Sequence, residues 1–75
     1  MTDEEYLQRL GIKLKILRSI KKLSQDDIAN KLNIDKSYYS KVERGLTNPT
    51  LLYLRNLSKI FEINLSELID EHITF

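Results

Sequence analysis

The sequence predicts an all-α protein, a compact bundle of five short helices. Apolar residues recur at three- and four-residue spacing along most of the chain, which is the period of an amphipathic helix. No segment alternates polar and apolar residues as a half-buried strand does, and the only Gly and Pro residues are Gly11, Gly45 and Pro49. The breaks between periodic segments are about three to five residues long, so we expect consecutive helices to pack together.

The first helix is predicted to begin after Thr2, because Thr2-x-x-Glu5 resembles a capping box. It should end near Lys21 and Lys22, since cations favour the C-terminal end of a helix. Its buried stripe is expected to consist of Leu7, Leu10, Leu14 and Leu17. Its solvated face is expected to include the lysines Lys13, Lys15, Lys21 and Lys22.

Two shorter helices are predicted to follow. Ser24, with acidic residues after it, is a typical N-cap for the second helix. Asn33 tolerates the left-handed backbone that ends a helix, and Asp35 can cap a third helix over about residues 36–44. Gly45 fits the position just beyond that helix, where glycine is preferred.

The last two helices are predicted from restart signals in the C-terminal third. Asn48-Pro49-Thr50 stops the chain and restarts it, and the fourth helix is marked by Leu51, Leu54, Leu57 and Phe61. Asn64-x-x-Glu67 is expected to cap a short fifth helix, whose apolar residues are Leu65, Leu68 and Ile69.

Length and composition exclude several classes of protein. Seventy-five residues make one domain over 1–75, and a chain of about this size buries only roughly 60% of its unfolded surface. The absence of cysteine rules out disulfides, and with a single histidine, His72, we expect neither a structural zinc site nor a catalytic histidine. No apolar run approaches the ~20 residues that span a bilayer, and the acidic N-terminus does not resemble a signal peptide. We therefore expect a cytoplasmic protein.

The charges are unevenly distributed. The net charge is only +1, yet residues 9–59 contain all 12 Lys and Arg residues and only four of the 11 Asp and Glu residues. Both ends of the chain are acidic. A basic middle between acidic ends suits a protein that presents one face to a polyanion, although charge alone is weak evidence for nucleic-acid binding.

The second and third helices have the spacing of a helix-turn-helix. The three-residue turn Asn33-Ile34-Asp35 separates them, and each is too short to be stable alone. The residues expected to fix their angle are Ile28, Ala29, Ile34, Tyr39 and Val42. The opposite face of the third helix carries Lys36, Ser37, Ser40 and Lys41. Such a polar, basic face can donate hydrogen bonds to guanine O6 and N7 in the major groove of duplex DNA.

Three motifs of the chain resemble one known family. They are Leu23-Ser24-Gln25-x-x-Ile28-Ala29, Ile34-x-x-Ser37-Tyr38-Tyr39-Ser40-x-Val42-Glu43-Arg44-Gly45 and Asn48-Pro49-Thr50. Together, over about residues 10–69, they resemble the phage repressor and Cro-type (XRE-like) helix-turn-helix family. The resemblance implies a lambda-repressor-like five-helix domain that binds a palindromic operator as a homodimer, without a cofactor. The segment Asp35-Lys36-Ser37-Tyr38 is also similar to the recognition segment of restriction–modification controller proteins.

The resemblance also implies roles for individual residues. Those expected to contact DNA bases are Lys36, Ser37, Tyr38, Ser40 and Lys41. Those expected to contact backbone phosphates are Gln25, Arg44, Thr47 and Asn48. Arg18 and Glu43 match a family ion pair that ties the first helix to the third.

Two apolar surfaces are expected to serve protein contacts. The dimer surface is assigned to the end of the fourth helix and to the fifth helix, about residues 64–72, and its residues are Tyr53, Ile60, Ile63, Leu65, Leu68 and Ile69. A second stripe, formed by Ile12, Ile16 and Ile20, lies away from the core stripe of the first helix. This stripe is either covered by the terminal segments, through Ile73 and Phe75, or is a surface for a further protein partner.

Two other classes of function compete with transcription regulation. A protein-interaction module, such as an antitoxin or adaptor on the same fold, would retain the helices without using phosphates. An enzyme is excluded on the residues present: the chain has no cysteine nucleophile, no glycine-rich phosphate loop and no histidine–carboxylate constellation.

Overall fold

The computed structural model describes residues 1–71 and contains five helices there, with no strand. They are α1 (Asp3–Ile20), α2 (Gln25–Leu32), α3 (Lys36–Glu43), α4 (Leu51–Phe61) and α5 (Leu65–Ile69). Helix α1 packs against α3 and α5, α2 against α3, and α4 against α5. The all-α, five-helix prediction is therefore confirmed. The expectations for His72, Ile73 and Phe75 lie outside the described residues.

Side-chain caps explain where four of the helices begin. Thr2, Ser24, Asp35 and Thr50 are extended, and each side-chain oxygen accepts a hydrogen bond from the backbone N–H three residues later. Ser24 forms a complete capping box, because the Asp27 carboxylate accepts in return from the Ser24 N–H at 2.8 Å. These bonds satisfy amides that have no partner within the helix, so the helix starts are fixed locally by the sequence.

Helix α5 begins without such a cap, which corrects the prediction for Asn64. The Asn64 side chain makes no capping bond to the backbone and donates instead to the Glu67 carboxylate, at 3.3 Å. Because α5 has only five residues, it is too short to be stable in isolation. Its order must therefore come from packing against the rest of the bundle.

A left-handed residue ends α2, as the sequence predicts. Asn33 has φ 52° and ψ 50° and joins α2 to the turn before α3. Gly45, with φ 72°, follows the last turn of α3 in the position expected for a glycine. A Cβ at Gly45 would also lie 2.7 Å from the Gln8 Cα, so this position favours glycine for space as well as for its dihedral angle.

The core of the bundle lies between α1 and the other helices. Three of the four leucines predicted for α1 are buried in it, Leu10, Leu14 and Leu17, whereas Leu7 is half-buried. The other buried core residues are Ile28, Tyr39, Val42, Leu54, Leu57, Phe61 and Leu68. Since a fully buried leucine contributes about 1.5–3 kcal/mol, this cluster is the main source of stability.

Gly11 allows α1 and the end of α3 to come into backbone contact. A Cβ placed on Gly11 would lie 2.6 Å from the Glu43 carbonyl carbon and 2.9 Å from the Val42 carbonyl oxygen. Both atoms belong to the backbone and cannot turn away as a side chain would. Any other residue at position 11 would therefore push α3 away from α1. The sequence pattern did not predict this role.

Lys13 is buried, which corrects its assignment to a solvated face. It is only 2% exposed, and its Nζ donates to the carbonyl oxygens of Glu67 at 2.6 Å and Asp70 at 2.8 Å. The reason is tertiary: the C-terminal end of α5 lies against this side of α1, and the last carbonyls of a helix accept no hydrogen bond from within the helix itself. Burial lowers the pKa of Lys13 from its ordinary value, and Asp70 and Glu67 oppose that shift.

Candidate nucleic-acid interface

Helices α2 and α3 are held at a fixed angle by their shared apolar contacts. Ile28, Tyr39 and Val42 are at most 1% exposed, and Ala29 is 7% exposed. The Ile34 N–H donates to the Ala29 carbonyl at 2.9 Å and closes the turn. This is the helix-turn-helix arrangement that the three-residue turn predicts, and it leaves the outer side of α3 facing away from the core.

Polar residues occupy the outer side of α3. Lys36, Ser37 and Lys41 are exposed, and Ser40 is half-exposed. Three of the five predicted base-contacting residues therefore have the exposure that base contact requires. None of these four side chains belongs to the buried core, so their polar groups lie on the outer side of α3.

Tyr38, the fifth predicted base-contacting residue, is partly used in packing. Its ring meets the Tyr53 ring edge-on, with centroids 5.3 Å apart and planes at 80°. This contact joins the recognition segment to α4. Burial, assisted by the nearby Tyr38 and Asp35, raises the pKa of Tyr53 to about 12. Tyr53 therefore remains protonated at neutral pH.

An unexpected carboxylate lies next to the first residue of α3. The Lys36 Nζ is 3.2 Å from Asp26 Oδ1 and 3.3 Å from Asp26 Oδ2. Asp26 belongs to the first turn of α2, so the ion pair bridges the starts of the two helices. The residues of α3 alone indicate a basic face, because the neighbouring carboxylate is contributed by another helix.

Arg18 and Glu43 form the predicted ion pair between α1 and α3. Arg18 Nε donates to Glu43 Oε2 at 2.7 Å, and the terminal guanidinium nitrogen donates to Oε1 at 3.1 Å. The side chains are 16% and 4% exposed. Arg18 also donates to the Leu23 carbonyl at 3.0 Å, so one guanidinium fixes α1, the loop before α2, and α3. The buried Tyr39 hydroxyl lies next to this pair without a hydrogen bond of ordinary geometry.

Gln25, predicted to contact phosphate, joins this network. Its Nε2 donates to Glu43 Oε1 at 3.2 Å, and the side chain is half-buried at the start of α2. Burial alone would raise the pKa of Glu43, but the hydrogen bonds from Arg18 and Gln25 help to hold it below its ordinary value of 4.5. Gln25 is thus fixed in orientation by the same carboxylate that anchors α3.

The other predicted phosphate contacts lie in the loop after α3. Arg44 and Asn48 are exposed and Thr47 is half-exposed. Arg44 Nε lies 3.4 Å from the Ser40 carbonyl, at the outer limit of a hydrogen bond. The Leu46 N–H donates to the Lys41 carbonyl at 2.9 Å, so the loop is tied back onto α3.

The predicted dimer surface needs one correction. Leu68 is 0% exposed and belongs to the core, because α5 turns this side chain toward α1 and α4. The remaining residues are half-buried and pack against the core with part of their surface outward: Tyr53, Ile60, Ile63, Leu65 and Ile69.

Two of the three residues in the isoleucine stripe of α1 are exposed. Ile12 is 49% exposed, Ile20 is 61% exposed, and Ile16 is half-buried.

The helices within residues 1–71 include none with the length and apolar character of a membrane span. In the same residues, no group of His, Asp and Glu side chains is arranged to hold a metal ion.

The fold and the exposed face of α3 define a helix-turn-helix protein, and comparison with known proteins agrees. The helix-turn-helix family model matches residues 14–68. The chain is 42% identical over 64 residues to the control protein C.MunI of Mycoplasma sp, covering 84% of this chain and 86% of that protein. It is 35% identical to the transcriptional regulator SinR of Bacillus subtilis over 83% of this chain, but spans only 57% of SinR.

A solved structure shows the same architecture. The restriction–modification controller protein C.AhdI from Aeromonas hydrophila superposes with a TM-score of 0.78 at 37% identity, covering 83% of this chain and 94% of that chain. The immunity repressor of Bacillus phage phi105 is 32% identical over 83% of this chain. The chain therefore belongs to the XRE-like helix-turn-helix family of DNA-binding transcription regulators, and its relatives are regulators and controller proteins rather than enzymes.

Proposed function

We propose that the protein is a homodimeric regulator that binds a palindromic operator in duplex DNA, in the manner of a restriction–modification controller. The observation that carries the proposal is the outward face of α3, where Lys36, Ser37 and Lys41 are exposed on a helix held rigidly from behind. We assign the protein to the cytoplasm, where its DNA target would be found.

Base recognition is assigned to the outer face of α3 in the major groove. Lysine ammonium groups donate to guanine O6 and N7, and the hydroxyls of Ser37 and Ser40 contact either kind of base pair. Tyr38, held edge-on against Tyr53, is placed to contact a thymine methyl or a sugar. Because α3 is anchored through Glu43, these side chains approach the bases from a fixed position.

Phosphate contacts are assigned to the two ends of the helix-turn-helix. Gln25 lies at the N-terminus of α2, where backbone N–H groups and the helix dipole favour an anion. The loop after α3 supplies Arg44, Thr47 and Asn48. These contacts set the register of the protein on the duplex but read no sequence.

Dimerisation is assigned to α4 and α5. Their half-buried apolar residues leave surface outward that a second copy can cover, and a two-fold axis there would place the two α3 helices about 34 Å apart, one turn of DNA. A monomer has too little α3 surface to recognise a full operator, so pairing of two copies supplies the second half-site.

The assignment to controller proteins rests on how much of each relative is matched. The chain covers 86% of C.MunI and 94% of C.AhdI, but only 57% of SinR and 43% of the phi105 repressor. The likeness to the controllers therefore extends over most of their length, whereas SinR and the phi105 repressor are matched in only about half of their chains or less.

The proposal is tested by selecting duplexes from a randomised pool with the purified protein and measuring binding by fluorescence anisotropy. We expect an inverted repeat to be enriched and the complex to contain two protein copies. Lys41→Ala should lower the preference for that duplex over a scrambled one by ~1–3 kcal/mol, whereas Gln25→Ala should weaken binding to both equally. Equal losses on both duplexes for Lys41→Ala would remove Lys41 from the base-contacting set.

The isoleucine stripe of α1 favours a second candidate function, a protein-interaction module of the antitoxin or adaptor type. Ile12 and Ile20 are the residues that would contact such a partner. A module that does not use phosphates would show little dependence of DNA binding on salt, whereas a DNA-binding regulator shows a steep log–log slope. Titration of duplex DNA at two salt concentrations therefore separates the two candidates.

A further inference from the structure

The Asp26–Lys36 ion pair bridges the two helices of the helix-turn-helix on its outer side. Both carboxylate oxygens lie within 3.3 Å of the Lys36 Nζ, and the side chains of Asp26 and Lys36 are 66% and 54% exposed. Lys36 is the first residue of α3, next to the groove in the proposed complex. A fixed negative charge therefore lies beside a lysine assigned to base contact.

The ion pair itself contributes little to folding. Ion pairs between exposed side chains contribute little to stability, because water screens them and two long side chains must be ordered. The start of α2 is already secured by Ser24 and Asp27, whose reciprocal hydrogen bonds are 3.0 Å and 2.8 Å long. Asp26 takes no part in that cap.

The pair makes the two lysines of α3 electrostatically different. Within residues 1–71, Lys41 forms no ion pair, so its charge is available to any nearby phosphate. Lys36 instead carries its own counter-charge. Phosphate attraction is the same for every sequence, whereas a guanine edge offers two acceptors at a defined place in the groove.

We propose that Asp26 is a specificity-determining residue. Its carboxylate weakens the attraction of Lys36 to DNA phosphates in general, so that Lys36 binds preferentially where a guanine edge presents O6 and N7. The proposal rests on the proposed function, since it assumes that α3 enters the major groove. Asp26 acts by lowering the affinity for random DNA more than the affinity for the operator.

The test compares Asp26→Asn with a matched control, Glu62→Gln. Glu62 is also an exposed carboxylate in an ion pair, with Lys21 Nζ at 3.0 Å, but it lies at the end of α4 and joins it to the end of α1. Each variant removes one negative charge. Binding to the selected duplex and to a scrambled duplex of the same composition is measured over a range of salt concentrations, with thermal unfolding of each variant alongside.

We expect Asp26→Asn to bind the scrambled duplex about threefold more tightly at low salt, with a log–log salt slope steeper by about one per protomer. The gain on the selected duplex should be smaller, so that the ratio of the two affinities falls. Glu62→Gln should change the affinity ratio and the salt slope less than Asp26→Asn does. Both variants should unfold close to the wild-type temperature.

Two results would overturn the assignment of Asp26 alone. In one, Asp26→Asn matches Glu62→Gln on both duplexes. In the other, it loses affinity only for the selected duplex, which would mean that the carboxylate itself accepts a hydrogen bond from a base. A wild-type protein that binds neither duplex would overturn the proposed function, and this assignment with it.

Discussion

Helices α3 and α5 are both short, and both are fixed by polar side chains of α1, but in different ways. Arg18 holds α3 through the Glu43 side chain, a pair of opposite charges with two hydrogen bonds. Lys13 and Tyr6 hold α5 through its backbone: Lys13 donates to the Glu67 and Asp70 carbonyls, and the Tyr6 hydroxyl donates to the Ile69 carbonyl. We call these contacts the α3 anchor (Gly11, Arg18, Glu43) and the α5 anchor (Tyr6, Lys13).

The two anchors differ in which functional contacts depend on them. The α3 anchor lies behind the proposed DNA-binding face, and its Glu43 carboxylate also accepts a hydrogen bond from Gln25. Its failure would therefore disturb the proposed base and phosphate contacts together. The α5 anchor instead positions a helix that is assigned to dimerisation. We therefore expect changes in the α3 anchor to affect the whole fold and changes in the α5 anchor to affect mainly the pairing of two copies.

The largest effect is expected from Arg18→Met. The substitution leaves the Glu43 carboxylate buried without its partner, which costs about 3–5 kcal/mol in comparable pairs. Urea denaturation measures the loss in the free energy of unfolding. The double variant Arg18→Met, Glu43→Met should be more stable than Arg18→Met alone, because it leaves no uncompensated charge. A double variant less stable than the single one would show that packing, not charge, dominates this anchor.

Gly11→Ala is expected to have the next largest effect. The added methyl group meets the backbone of Glu43 and Val42, and overpacking of this kind costs about 1–3 kcal/mol. Because α3 must shift, DNA affinity should fall as well. Ser19→Ala, at an exposed position of the same helix, is the control and should change neither quantity. If Gly11→Ala has the same free energy of unfolding as wild type, then α1 and α3 can move apart without loss of stability.

Lys13→Met tests the α5 anchor. It removes a buried donor from carbonyl oxygens, at a cost of about 1–3 kcal/mol. Hydrogen exchange of the amides of residues 65–69 should accelerate more than that of α1, and the proposed dimer should need a higher protein concentration to form in sedimentation experiments. Lys15→Met, at an exposed position, should do neither. If hydrogen exchange accelerates equally in all helices of Lys13→Met, then the α5 anchor affects the whole fold just as the α3 anchor does.

The smallest effect is expected from acid. Although burial favours protonation of Glu43, its hydrogen bonds keep its pKa in the folded protein below the ordinary value of 4.5. Its stabilising contribution is therefore complete above that value and is lost as the pH falls through the lower, folded-state pKa. In urea denaturation across this range, Glu43→Gln should lose less stability with acid than wild type does. Parallel losses would show that other carboxylates account for the acid dependence.

Much of the helix-turn-helix could be predicted because its signals are local. The caps at Ser24 and Asp35 and the left-handed Asn33 each depend on neighbours within a few residues, so the sequence places α2 and α3 closely. The ion pair of Arg18 with Glu43 was predictable for another reason, the resemblance of both residues to a known family. The exposure of Lys36, Ser37 and Lys41 followed from helical periodicity.

The errors concern contacts between elements that are far apart in the chain. Lys13 and Lys15 cannot be told apart by composition or charge, yet only Lys13 meets the end of α5, more than fifty residues later in sequence. Leu68 was assigned to a dimer surface because it shares a short apolar segment with Leu65 and Ile69, and only the position of α5 shows which of the three faces inward.

The sequence by itself determined the number of helices, the starts of α1 to α4, the turn between α2 and α3, and the basic outer face of α3, because capping and periodicity act within one or two turns. Only the tertiary structure decided that Gly11 must lack a side chain, that Lys13 is buried, and that Asp26 forms an ion pair with Lys36. These features depend on how closely two separate helices approach each other. That distance is set by the packing of the whole bundle, so no short segment of the sequence can predict it.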